Sequence, residues 1–486
     1  MIDVRRLPQG VGPVSEWWPR ALAGLAVVVA VVAFYDRPLI LSAFAAGIGV
    51  LVAMTVDRRL VIPIIVLLLP LEIGGRFVPI LQTEGSAKVD ASALSLARMG
   101  LVVGAGLWAL RAPSDWWRGF LPRSALYLPI ALFLGLYAVS LLNTSDFSGA
   151  AQELGRLISH LVLLALVVIY VRDRQTLRWT LLALVASGLL LALVGLFQQA
   201  TDTYLWNEAL GTRGIRRNAT FVDPNIYARF LVVTMVVAGA LFFGERSRFR
   251  YLYAATFACA GLALPFTSSR SNWVAAAVVL PLLVFALPIT SRRKLHLFVF
   301  GGLVAAAFGL GVTAFEPQLA DRFNTLLSGE EAIGVRSGLL RAGWAMFLDH
   351  PIFGVGVEGF KEGVQGAYND YLPLGSTVYH SHTAVVTVLA ELGIVGLLAL
   401  AFLMHRLGRL LWQLYAGARA IDQAIVAGIG GALAAIFISG QTEGRMIEEP
   451  YLWLFMGLVI ALGAIRDGEA EQGVAVPGRE HDTRVA

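Results

Sequence analysis

Tyr379-His-Ser-His-Thr383 is followed at once by the apolar run Ala384-Val-Val-Thr-Val-Leu389, near the end of a segment, Phe315 to Leu397, that differs from the rest of the chain. Up to this junction the segment is polar and glycine-rich, whereas most of the remaining sequence is hydrophobic. Two of the seven histidines, His380 and His382, lie at the junction. The contrast predicts a long extramembrane loop that ends where a membrane helix begins.

The composition excludes an ordinary soluble domain. Hydrophobic residues make up 57% of the chain and charged residues 15%, with a mean hydropathy of +0.71. A soluble domain averages about 45–50% apolar and about 25% charged residues. Cys259 is the single cysteine, so no disulfide forms within the chain. We therefore predict a polytopic membrane protein and expect no nucleic-acid partner.

A membrane helix needs roughly 20 mainly apolar residues. Applied along the chain, this rule predicts an all-α protein with about 12–14 transmembrane helices. The segment 60–73 contains Pro63 and Pro70 and is either a short span or a re-entrant segment. The candidate spans are 21–35, 38–56, 60–73, 94–110, 125–142, 157–171, 177–199, 226–244, 251–268, 271–289, 295–315, 383–404, 421–441 and 450–466.

Basic residues alternate between the two sets of connections. Because Lys and Arg concentrate in cytoplasmic loops, this alternation predicts that both termini are cytoplasmic and that the loop 316–382 lies outside. The inside clusters are Arg5/Arg6/Arg20, Arg58/Arg59, Arg111/Arg118/Arg123, Arg172/Arg174/Arg178, Arg246/Arg248/Arg250, Arg292/Arg293/Lys294 and Arg406/Arg409/Arg419.

Several arginines break the alternation, because they fall in connections predicted to lie outside. The guanidinium fork suits phosphate and carboxylate, so the set predicts an anionic ligand, a phosphate or pyrophosphate, at the outer face. The alternative is pairing with acidic residues, such as Glu153 or Glu443, or with lipid headgroups. The arginines are Arg213, Arg216, Arg217, Arg270, Arg336, Arg341 and Arg445.

Two predicted helix starts lie at or beside these arginines. Asp223-Pro-Asn225 predicts a helix start in which Asn225 caps the helix and leaves N–H groups for an anion. Arg270 lies in the short turn Thr267–Asn272 between two spans, at or just below the membrane boundary. An ionisable residue at that depth is a candidate site residue, with snorkelling to the interface as the alternative.

The long loop contains one helical pattern. Apolar residues from Leu339 to Leu348, including Trp344, follow helical spacing and stop at Pro351, which predicts an amphipathic helix on the bundle or in the membrane interface. Gly354 and Gly356 then allow a tight turn or a close approach of the backbone to a ligand.

Three interpretations of His380-Ser-His382 compete. The histidines supply a general base, chelate a metal with His350, Asp349 or Glu358, or cap the following helix. Glu391 lies nine residues beyond His382. On one straight helix the two side chains face opposite sides, about 13 Å apart. Glu391 is therefore predicted to brace packing or to pair with a basic residue.

Taken together, these motifs resemble the superfamily of O-antigen ligases and O-antigen polymerases, which are bacterial membrane glycosyltransferases. The resemblance spans roughly 213–403, and Ala390-Glu-Leu-Gly-Ile-Val-Gly-Leu397 carries its most specific part. Thr383 stands where the family usually has Asn. The other motifs are the arginine-rich loop ending at Pro224-Asn225, the Ser269-Arg270 turn, the helix with Trp344, the segment His350-Pro-Ile-Phe-Gly-Val-Gly356, and His382.

The resemblance implies a fold akin to the membrane-embedded C-type glycosyltransferases. It also implies transfer of a glycan from an undecaprenyl-pyrophosphate donor to a glycan or lipid A-core acceptor, at the periplasmic face of the bacterial inner membrane and without cofactor or metal. Membrane lipids and other polysaccharide-assembly proteins are the expected partners. The predicted regions are an N-terminal bundle (1–200), a catalytic region (201–404) with the periplasmic loop 316–382, C-terminal helices (405–466) and a disordered cytoplasmic tail (467–486).

The hypothesis for the site is an inverting transferase in which His382 is the base. Arg270, one or more of Arg213, Arg216 and Arg217, and also Arg336 and Arg341 bind the donor pyrophosphate. Ligase and polymerase remain alternatives within the family, and a lipid-linked oligosaccharide transporter is the alternative from another class. The supporting residues are His380, Asn225, Glu391 and, for stacking on sugars, Trp344, Tyr368 and Tyr379.

Overall fold

A computed structural model describes residues 49–71, 96–111, 121–144, 146–203, 216–221, 223–245, 247–315, 333–373, 383–444 and 446–472. Within these ranges the chain is helical and contains no strand. Short 3-10 turns precede α1, precede α8 and follow α11. The helices are α1 (Val61–Leu68), α2 (Leu96–Arg111), α3 (Tyr127–Ser140), α4 (Phe147–Tyr170), α5 (Arg174–Thr201), α6 (Pro224–Gly244), α7 (Arg250–Ala263), α8 (Arg270–Ala286), α9 (Ser291–Phe315), α10 (Ile333–Asp349), α11 (Gly359–Gln365), α12 (Ala384–Tyr415), α13 (Ala420–Glu443) and α14 (Pro450–Glu471).

Six of the described helices are long and apolar enough to cross a membrane: α4, α5, α6, α12, α13 and α14. They contain between 21 and 32 residues, against the roughly 20 that a span requires. Shorter apolar helices, Ala97–Leu110, α3 and α8, pack among them. The prediction of an all-α polytopic membrane protein is confirmed. Residues 49–56 form the described part of the predicted span 38–56, and 21–35 lies outside the described residues.

The centre of the bundle is α6. Most of its residues are buried, and it packs against α5, α7, α8 and α13. Glycines of α13 permit the closest approach, because a Cβ at Gly428 would lie 2.8 Å from the Ala240 methyl group and one at Gly431 would lie 2.7 Å from Val236. Small residues allow membrane helices to pack closely. The later part of α6, around Val236 and Ala240, therefore packs closely against α13.

One end of the bundle, at which α6, α8 and α14 begin, carries Arg270; we call it the arginine end. At the opposite end Arg174 forms ion pairs of 2.5 Å with Asp422 and with Glu469. That end carries the basic connections for which the charge pattern predicts a cytoplasmic location. The pairing with Glu469 also explains why α14 continues to Glu471, into the segment predicted to be a disordered tail.

The long loop contains helices, and the membrane helix that follows it is broken. α10 forms where an amphipathic helix was predicted and ends at Asp349, before Pro351, as predicted. The predicted span 383–404 extends to Tyr415 and is broken at Gly393, whose φ of 65° and ψ of −165° are not helical. The part of α12 after the break, 394–415, is by itself long enough to span a bilayer.

Candidate functional site: an arginine cluster at one end of the bundle

Arg270 is the first residue of α8 and follows Ser269 at the N-cap position. The preceding residues form a 3-10 turn, and Ser268 takes a left-handed conformation with φ of 51°. Arg270 thus stands at a helix N-terminus, where backbone N–H groups point outward and the helix dipole favours an anion. The side chain is half-buried.

The carboxylate of Glu443, at the end of α13, fixes this turn. Its Oε1 accepts hydrogen bonds from Ser271 Oγ at 2.6 Å, from Asn272 Nδ2 at 2.6 Å and from Ser269 Oγ at 3.3 Å. Asn272 Nδ2 also donates to the Asn225 carbonyl at 3.1 Å. Glu443 therefore joins the start of α8 to the end of α13, and Asn272 links the same turn to the start of α6.

The other oxygen of Glu443 belongs to a buried ion triad. Arg229 of α6 is 2% exposed; its Nη2 pairs with Glu443 Oε2, and its Nη1 pairs with Glu449 Oε2 at 2.8 Å. A buried charge is tolerated only when it is paired and hydrogen-bonded. The triad ties α6 and α13 to the start of α14. Sequence analysis missed Arg229, and the signal that was available is a lone arginine inside an apolar run.

Arg216 joins the same end of the bundle. Its Nη2 donates to Asn225 Oδ1 at 2.7 Å and its Nε donates to the Thr267 carbonyl at 3.1 Å. The prediction that Asn225 caps α6 is wrong, because Asp223 is the N-cap and accepts from the Asn225 N–H at 2.8 Å. The Asn225 side chain is thereby left to orient Arg216.

Arg217 points differently. Its side chain is buried, its Nη2 pairs with Asp202 at 2.8 Å, and its Nε donates to Gln199 at 2.8 Å. Its backbone N–H donates to the Phe266 carbonyl at 2.8 Å. Arg217 therefore braces the loop against α5 and the turn before α8. This is the pairing with acidic residues that the sequence left open as an alternative.

Arg336 of α10 lies within electrostatic range of both Arg270 and Glu443. Burial and the neighbouring Arg270 charge lower the pKa of Arg336, and Glu443 acts in the opposite sense. Arginine stays protonated all the same. Within the described ranges Arg336 forms no ion pair, and the like charge of Arg270, which belongs to a separate element, acts on it. An anion bound between them would relieve this repulsion.

The remaining loop residues lie outside this cluster. Arg341 is exposed, Trp344 is 52% exposed, and no described contact joins either one to Arg270. α10 buries Leu339 of the predicted apolar set together with Ala342 and Met346, whereas Leu340 and Trp344 of that set are exposed. The buried face packs against α11 and the start of α12, which places Arg336 beside the bundle and leaves Trp344 on the surface.

The segment 351–356 packs against the break in α12. Val355 N–H donates to the Ala390 carbonyl at 2.9 Å and Gly356 N–H donates to the Glu391 carbonyl at 3.0 Å. In return, Ile394 N–H donates to the Pro351 carbonyl at 2.9 Å. Backbone groups released by a broken membrane helix need such partners. Gly354 and Gly356 were predicted to allow a tight turn or a close approach of the backbone to a ligand. In the structure the backbone at these glycines closely approaches α12.

Glu391 lies at this contact. Its Oε1 accepts from the Phe360 N–H at 3.4 Å, and the charges that act on it are those of Glu358, Glu448 and Glu153. Pairing with a basic residue, one of the two predicted roles, does not occur within the described part of the chain. Glu391 therefore remains a packing residue at the start of the break.

Substituting Gly393 by alanine is expected to destabilise the protein. A positive φ costs a non-glycine residue about 1–3 kcal/mol, and the added Cβ would also collide with the Ile352 carbonyl oxygen. The melting temperature of purified protein in detergent should fall. The matched control is Gly408→Ala on the same helix, where a Cβ meets nothing within 4 Å. An unchanged melting temperature for Gly393→Ala would refute the described break.

Three predicted site residues lie outside the described residues: Arg213, His380 and His382. The same holds for Tyr379 and Arg445. Thr383, the residue after His382, is the N-cap of α12 and is described. α12 packs against α10 and α13, and Val385 N–H donates to Gln441 of α13 at 3.4 Å. The first turn of α12 therefore adjoins the end of α13 that bears Glu443.

Comparison with known proteins identifies one region. Residues 255–401 match the family model described as O-antigen ligase. The match runs from α7 into α12 and includes Arg270, Arg336 and the contact between 351–356 and Gly393. No curated protein matches the chain. The match confirms the family resemblance, which rested in part on these motifs.

Proposed function

We propose that this protein transfers a glycan from undecaprenyl pyrophosphate to an acceptor sugar at the periplasmic face of the bacterial inner membrane, because residues 255–401 match the family model described as O-antigen ligase. The observation that carries the proposal is the position of Arg270 at the N-terminus of α8, with Arg336 within electrostatic range of it. Such a site suits a pyrophosphate. A lipid A-core acceptor defines a ligase, and a growing repeat-unit chain defines a polymerase.

The proposed reaction is a single displacement. The acceptor hydroxyl oxygen forms a bond to the anomeric carbon as the bond between that carbon and the phosphate oxygen breaks. The electron pair passes to undecaprenyl pyrophosphate, and the hydroxyl proton passes to His382, which gives inversion. Arg270 and Arg336 stabilise the charge that grows on the leaving pyrophosphate. Arg216, oriented by Asn225, is the third proposed contact, whereas Arg217 is assigned a bracing role.

The geometry favours an enzyme over a transporter. Transporters place substrate sites near the bilayer midplane on discontinuous helices. The proposed donor contacts Arg216, Arg270 and Arg336 lie instead at one end of the bundle. The decisive experiment incubates purified protein in detergent with a lipid-linked glycan and an acceptor. Product formation without a membrane barrier supports transfer, and product length separates a ligase from a polymerase. If no product forms with any supplied acceptor, the proposal fails.

Replacing His382 by alanine is expected to reduce transfer about 10²–10³-fold, as for loss of a general base, while donor binding is retained. Single-turnover rates with bound donor measure the effect. The control is His405→Ala in the later part of α12, a histidine outside the predicted site. Full transfer by a folded His382→Ala protein would remove the base assignment.

A further inference from the structure

α10 has two apolar faces, on nearly opposite sides of the helix. One face, centred on Ala342 and Met346, packs against α11 and the start of α12. On the other face Leu340, Trp344 and Leu348 follow one another at intervals of one turn and are 43%, 52% and 60% exposed. Side chains four residues apart lie on the same side of a helix. Packing against the bundle therefore leaves a continuous apolar row uncovered.

The exposed row continues past the end of α10. Ile352 and Phe353, in the turn after Pro351, are each more than half exposed. The backbone of the same turn lies on the break in α12, where the Val395 N–H donates to the Ile352 carbonyl at 3.4 Å. We call the exposed residues of the helix and of this turn the apolar stripe: Leu340, Trp344, Leu348, Ile352 and Phe353.

The apolar stripe adjoins a surface that faces lipid. Residues 394–415 of α12 are long enough to cross a bilayer. Ile394 and Leu398, in the first turns of this part, are 39% and 62% exposed, and exposed apolar side chains of a spanning helix contact acyl chains. Because Ile352 lies against the break just before Ile394, the apolar stripe is continuous with the lipid-facing surface of α12.

The charges beside the apolar stripe suit a membrane surface. Arg336 lies one turn before Leu340 and is half-buried, whereas Arg341 lies three residues before Trp344 and is exposed. A helix in the membrane interface carries tryptophan and leucine on the side that enters the boundary of headgroups and acyl chains, and basic residues beside it. Arg336 is also within electrostatic range of Arg270, which places the start of α10 at the arginine end.

We propose that α10 is an interfacial anchor, whose apolar stripe lies in the phospholipid leaflet at the arginine end and whose Arg341 contacts headgroup phosphates. One face of the helix is then covered by the bundle and the other by lipid, so that water covers neither. A contiguous apolar patch of this kind marks a membrane or protein partner, and continuity with α12 favours the membrane. Trp344 is thereby assigned to the lipid rather than to stacking on sugars.

The anchor has a consequence for the donor that rests on the proposed function. Arg336 is on the same helix as the apolar stripe, so a helix fixed in the interface holds this guanidinium at the depth of the phospholipid headgroups. The pyrophosphate of a lipid-linked donor lies at that depth, because its polyprenyl chain is in the bilayer. The membrane thus helps to position a proposed donor contact.

Spin labelling of the full chain tests the anchor in vesicles of phosphatidylethanolamine and phosphatidylglycerol. Cys259→Ser removes the single cysteine, and Leu340→Cys, Trp344→Cys and Leu348→Cys then each carry one label. Oxygen concentrates among acyl chains and a nickel chelate stays in water. We expect frequent collisions of each label with oxygen and rare collisions with the nickel chelate. Three positions are labelled, so that a variant that does not fold leaves two.

Two labels on the same protein serve as references. Leu398→Cys reports the lipid-facing side of α12, and Gln365→Cys reports the exposed end of α11. Labels in the apolar stripe should match Leu398→Cys. Nickel collisions as frequent as for Gln365→Cys would overturn the proposal, because the stripe would then lie in water. Rare collisions with both reagents would also overturn it, because a protein surface, such as a second copy of the chain, would then cover the stripe.

A second pair of vesicle samples separates phospholipid from the donor chain. The first sample contains no polyprenyl lipid, and the second contains undecaprenyl phosphate. We expect the same collision rates in both samples. A lipid-like signal that appears only with undecaprenyl phosphate would overturn the proposal and would assign the apolar stripe to the polyprenyl chain.

The kinetic test uses Leu340→Gln together with Leu348→Gln, which keeps side-chain size but removes the apolar character. The donor KM in vesicles is expected to rise about tenfold, the equivalent of one charge-assisted contact. Leu340→Met with Leu348→Met is the control and should keep the wild-type KM. Equal KM values for the two double variants would overturn the effect on Arg336. Lipid-like labels without any transfer would refute the proposed function alone, whereas water-like labels together with transfer would refute the anchor alone.

Discussion

Arg270→Lys is expected to lower kcat/KM for the lipid-linked donor at least ~10³-fold, nearly as much as Arg270→Ala. A positioned arginine that stabilises phosphate charge in a transition state contributes about 10³–10⁵ in rate. Lysine keeps the charge but loses the planar fork that contacts two oxygens at once. Arg270 begins α8 on a turn that Glu443 fixes. The backbone at position 270 therefore cannot shift toward the pyrophosphate to make up for the contacts that lysine lacks. Steady-state transfer with purified protein measures the effect.

The matched control is Arg293→Lys in the first turn of α9, an exposed arginine at the opposite end of the bundle. It should change kcat/KM less than about twofold, because no proposed substrate contact lies there. A strong effect of Arg270→Lys on the melting temperature would indicate a structural role. Retention of more than a tenth of the wild-type kcat/KM would contradict the assignment of Arg270 to the pyrophosphate.

Charge placement alone predicts much of this cluster. Arginines in connections that should lack them indicate Arg270, Arg216 and Arg336 as candidate ligand contacts. Composition and periodicity do not reveal which of them meet, because that depends on how α6, α8 and α10 pack. Arg217 belongs to the same surplus, yet it pairs with Asp202 on the preceding helix. A charge count does not separate a ligand contact from a brace.

The glycine motifs show that a residue pattern does not predict main-chain contacts between distant segments. The sequence singles out Gly354, Gly356 and Gly393. It does not predict that the backbone around the first two bonds to the backbone around the third. The partner of 351–356 is the break in α12, about 40 residues later, and the contact consists of main-chain hydrogen bonds. These depend on backbone shape rather than on side-chain type, so no residue pattern predicts them. Glycine supplies the conformation that both sides need.

Arg229→Met is expected to cost about 3–5 kcal/mol of stability, because it leaves Glu443 and Glu449 buried without their cation. Methionine fills most of the space, so the loss comes from uncompensated charge rather than from a cavity. Adding Glu443→Gln and Glu449→Gln should restore more than half of the stability, since no buried charge then remains. Thermal unfolding in detergent measures all three steps.

The rate of glycan transfer from the lipid-linked donor should fall and recover together with stability across these variants. The amide oxygen introduced by Glu443→Gln still accepts a hydrogen bond from Ser271 or Asn272, so the triple variant keeps the turn before Arg270 and should recover transfer together with stability. Arg59→Met is the control, because both partners of its pair with Asp173 are exposed, at 49% and 41%, and such a pair is worth about 1 kcal/mol or less. If Arg229→Met unfolds no more readily than Arg59→Met, the triad is not what fixes the arginine end.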